Sequence, residues 1–166
     1  MGNLYVGVDL GKKGGITVIN ERKEIVFCNV MPIIPGKKPD YDRNEIATFF
    51  KNIMGEHKVF CVLEKNVIIP MKNSAVAIAS MAYCRGIFEG IFATLEIPYQ
   101  VVSPKQWQEE ILRGLDRSDT KQAGILYCQR AYPNEDFRAS ERCKNIHDGK
   151  TDSLCMALYA WKNDNS

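Results

Sequence analysis

Four carboxylates sit at odd places on three strongly apolar elements. Asp9 interrupts the apolar run Val6-Gly7-Val8 and precedes a glycine-rich turn. Glu64 closes the segment KVFCVLE, which is apolar from Val59 to Leu63. Asp148 and Asp152 are four residues apart, so a helix beginning there carries both on one face. Aspartate is a poor strand residue, and desolvating an unpaired carboxylate costs several kcal/mol. If the strands ending in Asp9 and Glu64 lie side by side, and the helix bearing Asp152 packs over them, these groups meet and repel one another unless a cation intervenes. Magnesium takes oxygen ligands of this kind. Two such ions a few Å apart can clamp a phosphodiester, one activating water and the other stabilising the leaving oxygen. Each carboxylate also has an ordinary reading: Asp152 as a first-turn residue favoured by the helix dipole, Asp148 as a helix cap, Glu64 as a strand-end partner of Lys65 or another lysine.

The elements that must position these groups can be traced along the chain. Residues 3–10 read as a short buried strand, followed after a turn by a second at 16–20 and a third at 24–31, a meander with tight connections. The stretch PIIPGKKPD reads as a loop. Asp42 can cap a helix to about Met54 with Ile46, Phe49, Phe50 and Ile53 on one face. A fourth strand spans 58–64. Ser74 opens a long apolar helix, read as a buried helix because Arg85 and Glu89 interrupt it, and its Ala75, Ile78, Ala79, Ala82, Gly86 and Gly90 offer a small, close-packing surface. A fifth strand covers 98–103. Ser103-Pro104 is a helix start, Ser118 or Asp119 opens another helix through Ala131, and a charged loop leads to a last helix from about Lys150 to Trp161. This order predicts an α/β fold in a single domain over residues 1–166, a five-stranded mixed sheet with helices on both faces, and a parallel crossover between the fourth and fifth strands.

Composition sets the outer bounds. The chain has 166 residues, 45% hydrophobic and 25% charged, which fits an ordinary globular domain and excludes a disordered one. A net charge of +2 neither announces nor excludes a nucleic-acid partner, since gathering acids at one site leaves the rest of the surface more basic. The six cysteines form no CxxC pair and read as reduced thiols of a cytosolic-type compartment. Cys143 and His147 could begin a zinc site, but no second cysteine pair completes one. No signal peptide opens the chain, and no membrane association is expected.

The ordered segments Gly7-Val8-Asp9-Leu10-Gly11-Lys12, Val62-Leu63-Glu64-Lys65 and His147-Asp148-Gly149-Lys150-Thr151-Asp152-Ser153 resemble the RuvC family of Holliday-junction resolvases, the phage- and prophage-type members most closely. SPKQWQ before one helix and SDTKQA at the opening of the next fit the same pattern. The resemblance implies a ribonuclease H-like fold, a homodimer, and paired nicking of four-way DNA dependent on two magnesium ions per site, with manganese as a substitute, in the cytoplasm of a bacterial or phage-infected cell. It assigns Asp9, Glu64 and Asp152 as metal ligands and Lys121 as a basic residue near the scissile phosphate. Many members carry an aspartate or histidine three residues before the last aspartate; here that position is Gly149. Asp148 then becomes the fourth ligand, with His147 as the alternative.

A four-way junction presents many phosphates, so basic residues should flank the acidic cleft. The candidates are Lys12, Lys13, Lys72, Lys105, Arg113, Arg117, Lys121, Arg138, Arg142 and Lys144, each of which reads equally as a solvated surface charge. The loop after Glu64 holds Val67, Ile68, Ile69 and Met71, which either wedge between bases or pack on the core or a partner. Trp107 reads as a core anchor before a base-stacking residue. In the family the long helix helps build the dimer. The rival functions are another nuclease of the same fold acting on RNA, RNA–DNA hybrid or other branched DNA, an actin-like ATPase, for which the chain is too short, and a non-catalytic junction-binding module.

Overall fold

The computed structural model describes residues 2–55, 57–65 and 74–165. Its centre is β1 (Asn3–Asp9), buried on both faces from Leu4 to Val8. On one side β1 pairs antiparallel with β2 (Gly15–Asn20), which pairs with β3 (Ile25–Val30). On the other it pairs parallel with β6 (Lys58–Glu64), and β6 with β7 (Tyr99–Val102), giving the order β3-β2-β1-β6-β7. Two short strands, β4 (Ile33–Ile34) and β5 (Asp40–Tyr41), form a separate hairpin inside the stretch expected to be loop. The register sets Val8 opposite Leu63, so Asp9 and Glu64 follow in step at the same end of neighbouring parallel strands.

Alternation along the strands splits the core in two. Leu4, Val6, Val8, Cys61 and Leu63 face α1 (Arg43–Met54) and α2 (Ala75–Leu95). There Phe50, Phe88 and Phe92 meet edge to face, with centroids 4.9 to 6.1 Å apart. Tyr5, Val62 and Val102 face the other way, towards α3 (Pro104–Ile111), α4 (Thr120–Ala131) and α5 (Asp148–Asp164). Caps mark the helix starts: Asp42 accepts from the Glu45 N–H at 2.9 Å and Asp119 from the Gln122 N–H at 3.0 Å.

The long helix departs from expectation. Only Cys84, Phe88 and Phe92 of α2 are buried; Val76 is 79% exposed and Tyr83 43% exposed. The reading as a buried helix is therefore wrong. By length and composition α2 also meets the criterion for a membrane span. Its inner aromatic face is built into the core, however, and Arg85 bonds Glu89 at 2.8 Å on its flank. Of the small-residue surface, Ala75, Ala79 and Ala82 are exposed, and a Cβ added at Gly86 or Gly90 meets nothing within 4 Å among the described residues.

Candidate metal centre

The site begins with backbone contact between α5 and the central hairpin. A Cβ on Gly7 would stand 2.0 Å from the Ser153 carbonyl oxygen and 2.4 Å from the Ala157 nitrogen, so only glycine lets α5 lie directly on β1. At the other end of the contact, a Cβ on Gly149 would be 2.6 Å from both the Gly14 carbonyl carbon and the Lys13 oxygen. Buried Thr17 pins the same interface, its hydroxyl 2.8 Å from that of Ser153. This packing carries Asp152, one residue before Ser153, onto the strand ends that hold Asp9 and Glu64. It also explains why Gly149 occupies a position where the resemblance suggests a ligand: the turn between β1 and β2 leaves no room for a side chain there.

Electrostatics record the convergence. Burial, then the charges of Glu64, Asp152 and Asp148, push the Asp9 carboxyl well above its ordinary value. Burial, with Glu64 and Asp148 adding and Lys121 opposing, raises Asp152 to about 7. Burial raises Glu64 too, against a hydrogen bond from the Trp107 indole, whose Nε1–H donates to Oε2 at 2.9 Å. Asp148 behaves differently. Its partial burial acts upward, but the hydrogen bond and charge of Lys121 outweigh it and hold the carboxyl below the usual range. Three half-buried carboxylates thus resist ionising together, while the fourth is paired with a lysine. Among the described residues no three His, Cys, Asp or Glu side chains close into a tight metal cage. The carboxylates share a field rather than a finished coordination sphere.

Asp148 does not cap α5. His147 occupies the cap position without a side-chain cap bond, and Asp148 is the first helical residue. The half-buried His147 ring has no partner for Nδ1 among the described residues, and burial lowers its pKa. The charge of Asp148 acts on the Asp9 and Asp152 carboxyls, and His147 acts on Asp148 in turn. Gly124 on α4 lies against Asp152, with 3.4 Å between an added Cβ and the Asp152 Oδ1. Trp107 is a core residue, 1% exposed, as expected. Its bond to Glu64 was not foreseen; the Ser103-Pro104 helix start was, and the structure adds a Ser103–Gln106 capping box there.

The basic candidates scatter in role. Lys12 donates to the Pro39 carbonyl and lies 5.9 Å from the Tyr41 ring centre. Lys13 is exposed in the turn that abuts Gly149. Lys105 pairs with Glu109 at 3.8 Å. Arg138 is committed to Asp136, with Nε at 2.9 Å and Nη2 at 2.8 Å from its two oxygens. Arg113, Arg117, Arg142 and Lys144 are exposed and make no ion pair among the described residues. Lys72 and the apolar loop carrying Val67, Ile68, Ile69 and Met71 lie outside the described residues.

A central antiparallel hairpin extended by parallel strands, with acids at the ends of β1 and β6 and on the helix across them, defines a ribonuclease H-like fold. Two solved structures share it over nearly their whole length. One is T. thermophilus RuvC in complex with a Holliday junction substrate, with a TM-score of 0.64, 10% identity, and coverage of 98% of this chain and 96% of that one. The other is a Thermus thermophilus RuvC structure, with a TM-score of 0.56, 13% identity and 96% coverage of each chain. The protein thus has the fold of the RuvC Holliday-junction resolvases. No family model matches the sequence, and no curated protein matches it at a level that would establish a relative.

Proposed function

We propose that the protein is a divalent-metal-dependent endonuclease that resolves four-way DNA junctions by paired, symmetric nicks. The observation that carries this reading is the meeting of Asp9, Glu64 and Asp152 from three separate elements. All three are raised in pKa by burial, and Asp9 and Asp152 by their acidic neighbours as well. A solved structure of this fold, T. thermophilus RuvC, is in complex with a Holliday junction substrate. The donor set suits magnesium or manganese: it is all oxygen, anionic, and destabilised without a counter-charge. Asp9, Glu64 and Asp152 would hold the ions, with Asp148 or His147 beside them. Bound ions would supply Lewis-acid charge at the phosphate and a more acidic water.

The remaining work falls to the chain itself. Strands β1 and β6 hold their carboxylates at the C-terminal ends of two inner strands of the sheet. Lys121, now tied to Asp148, sets a positive charge at the rim, where a scissile phosphate would sit. Lys13, Arg113, Arg117, Arg142 and Lys144 are free to meet backbone phosphates; Arg138 and Lys105 must first give up acidic partners. The unused apolar face of α2 suits a second copy, which would place two sites about a two-fold axis for two symmetric cuts. Labelled four-way DNA, duplex DNA and RNA–DNA hybrid, each incubated with Mg2+ or with a chelator, test the reading. Metal-dependent nicking confined to the four-way substrate is expected. Preference for the hybrid would point to a different nuclease of the same fold, and binding without cleavage to a junction-binding module.

A further inference from the structure

Trp107 reaches Glu64 through a short and stiff path. The last strand pair of β6 and β7 sets Glu64 opposite Val102, and the Lys65 N–H donates to the Val102 carbonyl at 2.7 Å. Ser103 follows at once as the cap of α3, bonded reciprocally to Gln106, and Pro104 is the first helical residue. One turn of helix then returns the chain over the strand end it left. Trp107 stands at that point, 1% exposed and enclosed by the core of the α3–α5 face. An indole N–H only donates, so it pairs with a carboxylate whatever else that carboxylate binds. It occupies Oε2 at 2.9 Å, and Oε1 has no donor among the described residues.

We propose that Trp107 is a positioning residue for metal binding: its N–H locks the Glu64 carboxylate so that Oε1 stays available to a divalent cation. The proposal rests on the metal reading of the cluster. It adds a residue that carries no charge and touches no substrate. Hydrogen-bonded partners of ligating carboxylates commonly change metal affinity by about 10- to 100-fold. A buried, rigid donor belongs with them; a flexible surface donor would restrict Glu64 far less.

The test measures Mn2+ affinity by calorimetry on the full chain in a Trp161→Phe background, where Trp107 is the sole tryptophan. Trp107 is then replaced by benzothienylalanine, which keeps the bicyclic shape and puts sulfur in place of the N–H, and separately by Phe. The expected result is Mn2+ binding weakened about 10-fold in both proteins, with the melting temperature of the isostere unchanged. A purely structural tryptophan would leave the isostere's affinity equal to the parent's, and that result overturns the proposal. Tighter binding by the isostere also overturns it, because the bond would then withhold Glu64 from the ion. No Mn2+ binding by the parent protein overturns the metal reading itself, and this proposal with it.

Discussion

The two faces of the sheet are packed by opposite means. On the α5 face, backbone lies on backbone: Gly7, Gly15 and Gly149 leave no Cβ at the points of closest approach, and Thr17 and Ser153 bond across the contact. On the α2 face, large rings fill the space, with Phe50, Phe88 and Phe92 interlocked. The helix they anchor leaves Val76 and Tyr83 exposed, and a shallow groove of about 380 Å³ runs between it and α1, lined by Ala47, Ile91 and Leu95. Close backbone packing leaves a helix almost no freedom to slide, which suits a face that must aim carboxylates. Ring packing secures only one stripe of a helix, which suits a face that presents another stripe to a partner.

The largest effect expected from this contrast is at Gly7. Gly7→Ala forces a methyl into the α5 backbone and should cost roughly 3 kcal/mol or more in chemical denaturation; a loss below about 1 kcal/mol would mean that α5 yields. Next comes association. Ala82 is exposed on α2, and Ala82→Glu should weaken self-association about 100-fold, or roughly 2.7 kcal/mol, in sedimentation equilibrium while leaving the monomer folded. A wild-type protein that is already monomeric at all concentrations would remove α2 as an interface.

A smaller effect concerns charge at the acidic end. The Asp152 carboxyl is raised from 3.8 to about 7 in the folded protein. The folded state therefore holds a proton that the unfolded chain releases, so this group's stabilising contribution is full below pH 4 and is lost as pH rises towards 7. Without metal, Asp152→Asn should accordingly raise stability at neutral pH by roughly 2 kcal/mol and flatten the decline between acid and neutral pH. Added Mn2+ should stabilise the wild type and not the variant. A variant less stable than wild type in chelator would show that the carboxylate is already paired. The smallest effect is at Gly86, where an added methyl meets nothing within 4 Å among the described residues: in the Ala82→Glu monomer, Gly86→Ala should raise stability by about 0.5–1 kcal/mol through helix propensity alone.

Much of this arrangement is legible in the residues, for identifiable reasons. Asp9 and Glu64 each end an apolar strand, and parallel pairing in register aligns such ends, so their meeting follows once the strand order is guessed. Cap chemistry announced the starts of α1, α3 and α4. The outward face of α2 was not legible, because alanine and glycine in a row look alike whether they touch the core or a second molecule. The β4–β5 hairpin was hidden in a proline- and lysine-rich stretch, where two bridged residues per strand leave no periodicity to detect. The reason for Gly149 needed coordinates, since the obstacle is the Lys13–Gly14 backbone more than a hundred residues earlier in the chain. Trp107 was legible as a core residue and no further: sequence shows a ring, not where its single N–H points.

The central claim, that Asp9, Glu64 and Asp152 jointly hold divalent ions, is tested most directly by anomalous diffraction from crystals of the wild-type protein soaked in Mn2+. The account predicts anomalous density within coordination distance, about 2.0–2.3 Å, of carboxylate oxygens from Asp9 and Asp152, shared with Glu64 and lost in Asp9→Asn crystals. Density confined to other sites, or no density in a protein that still nicks four-way DNA, would contradict it.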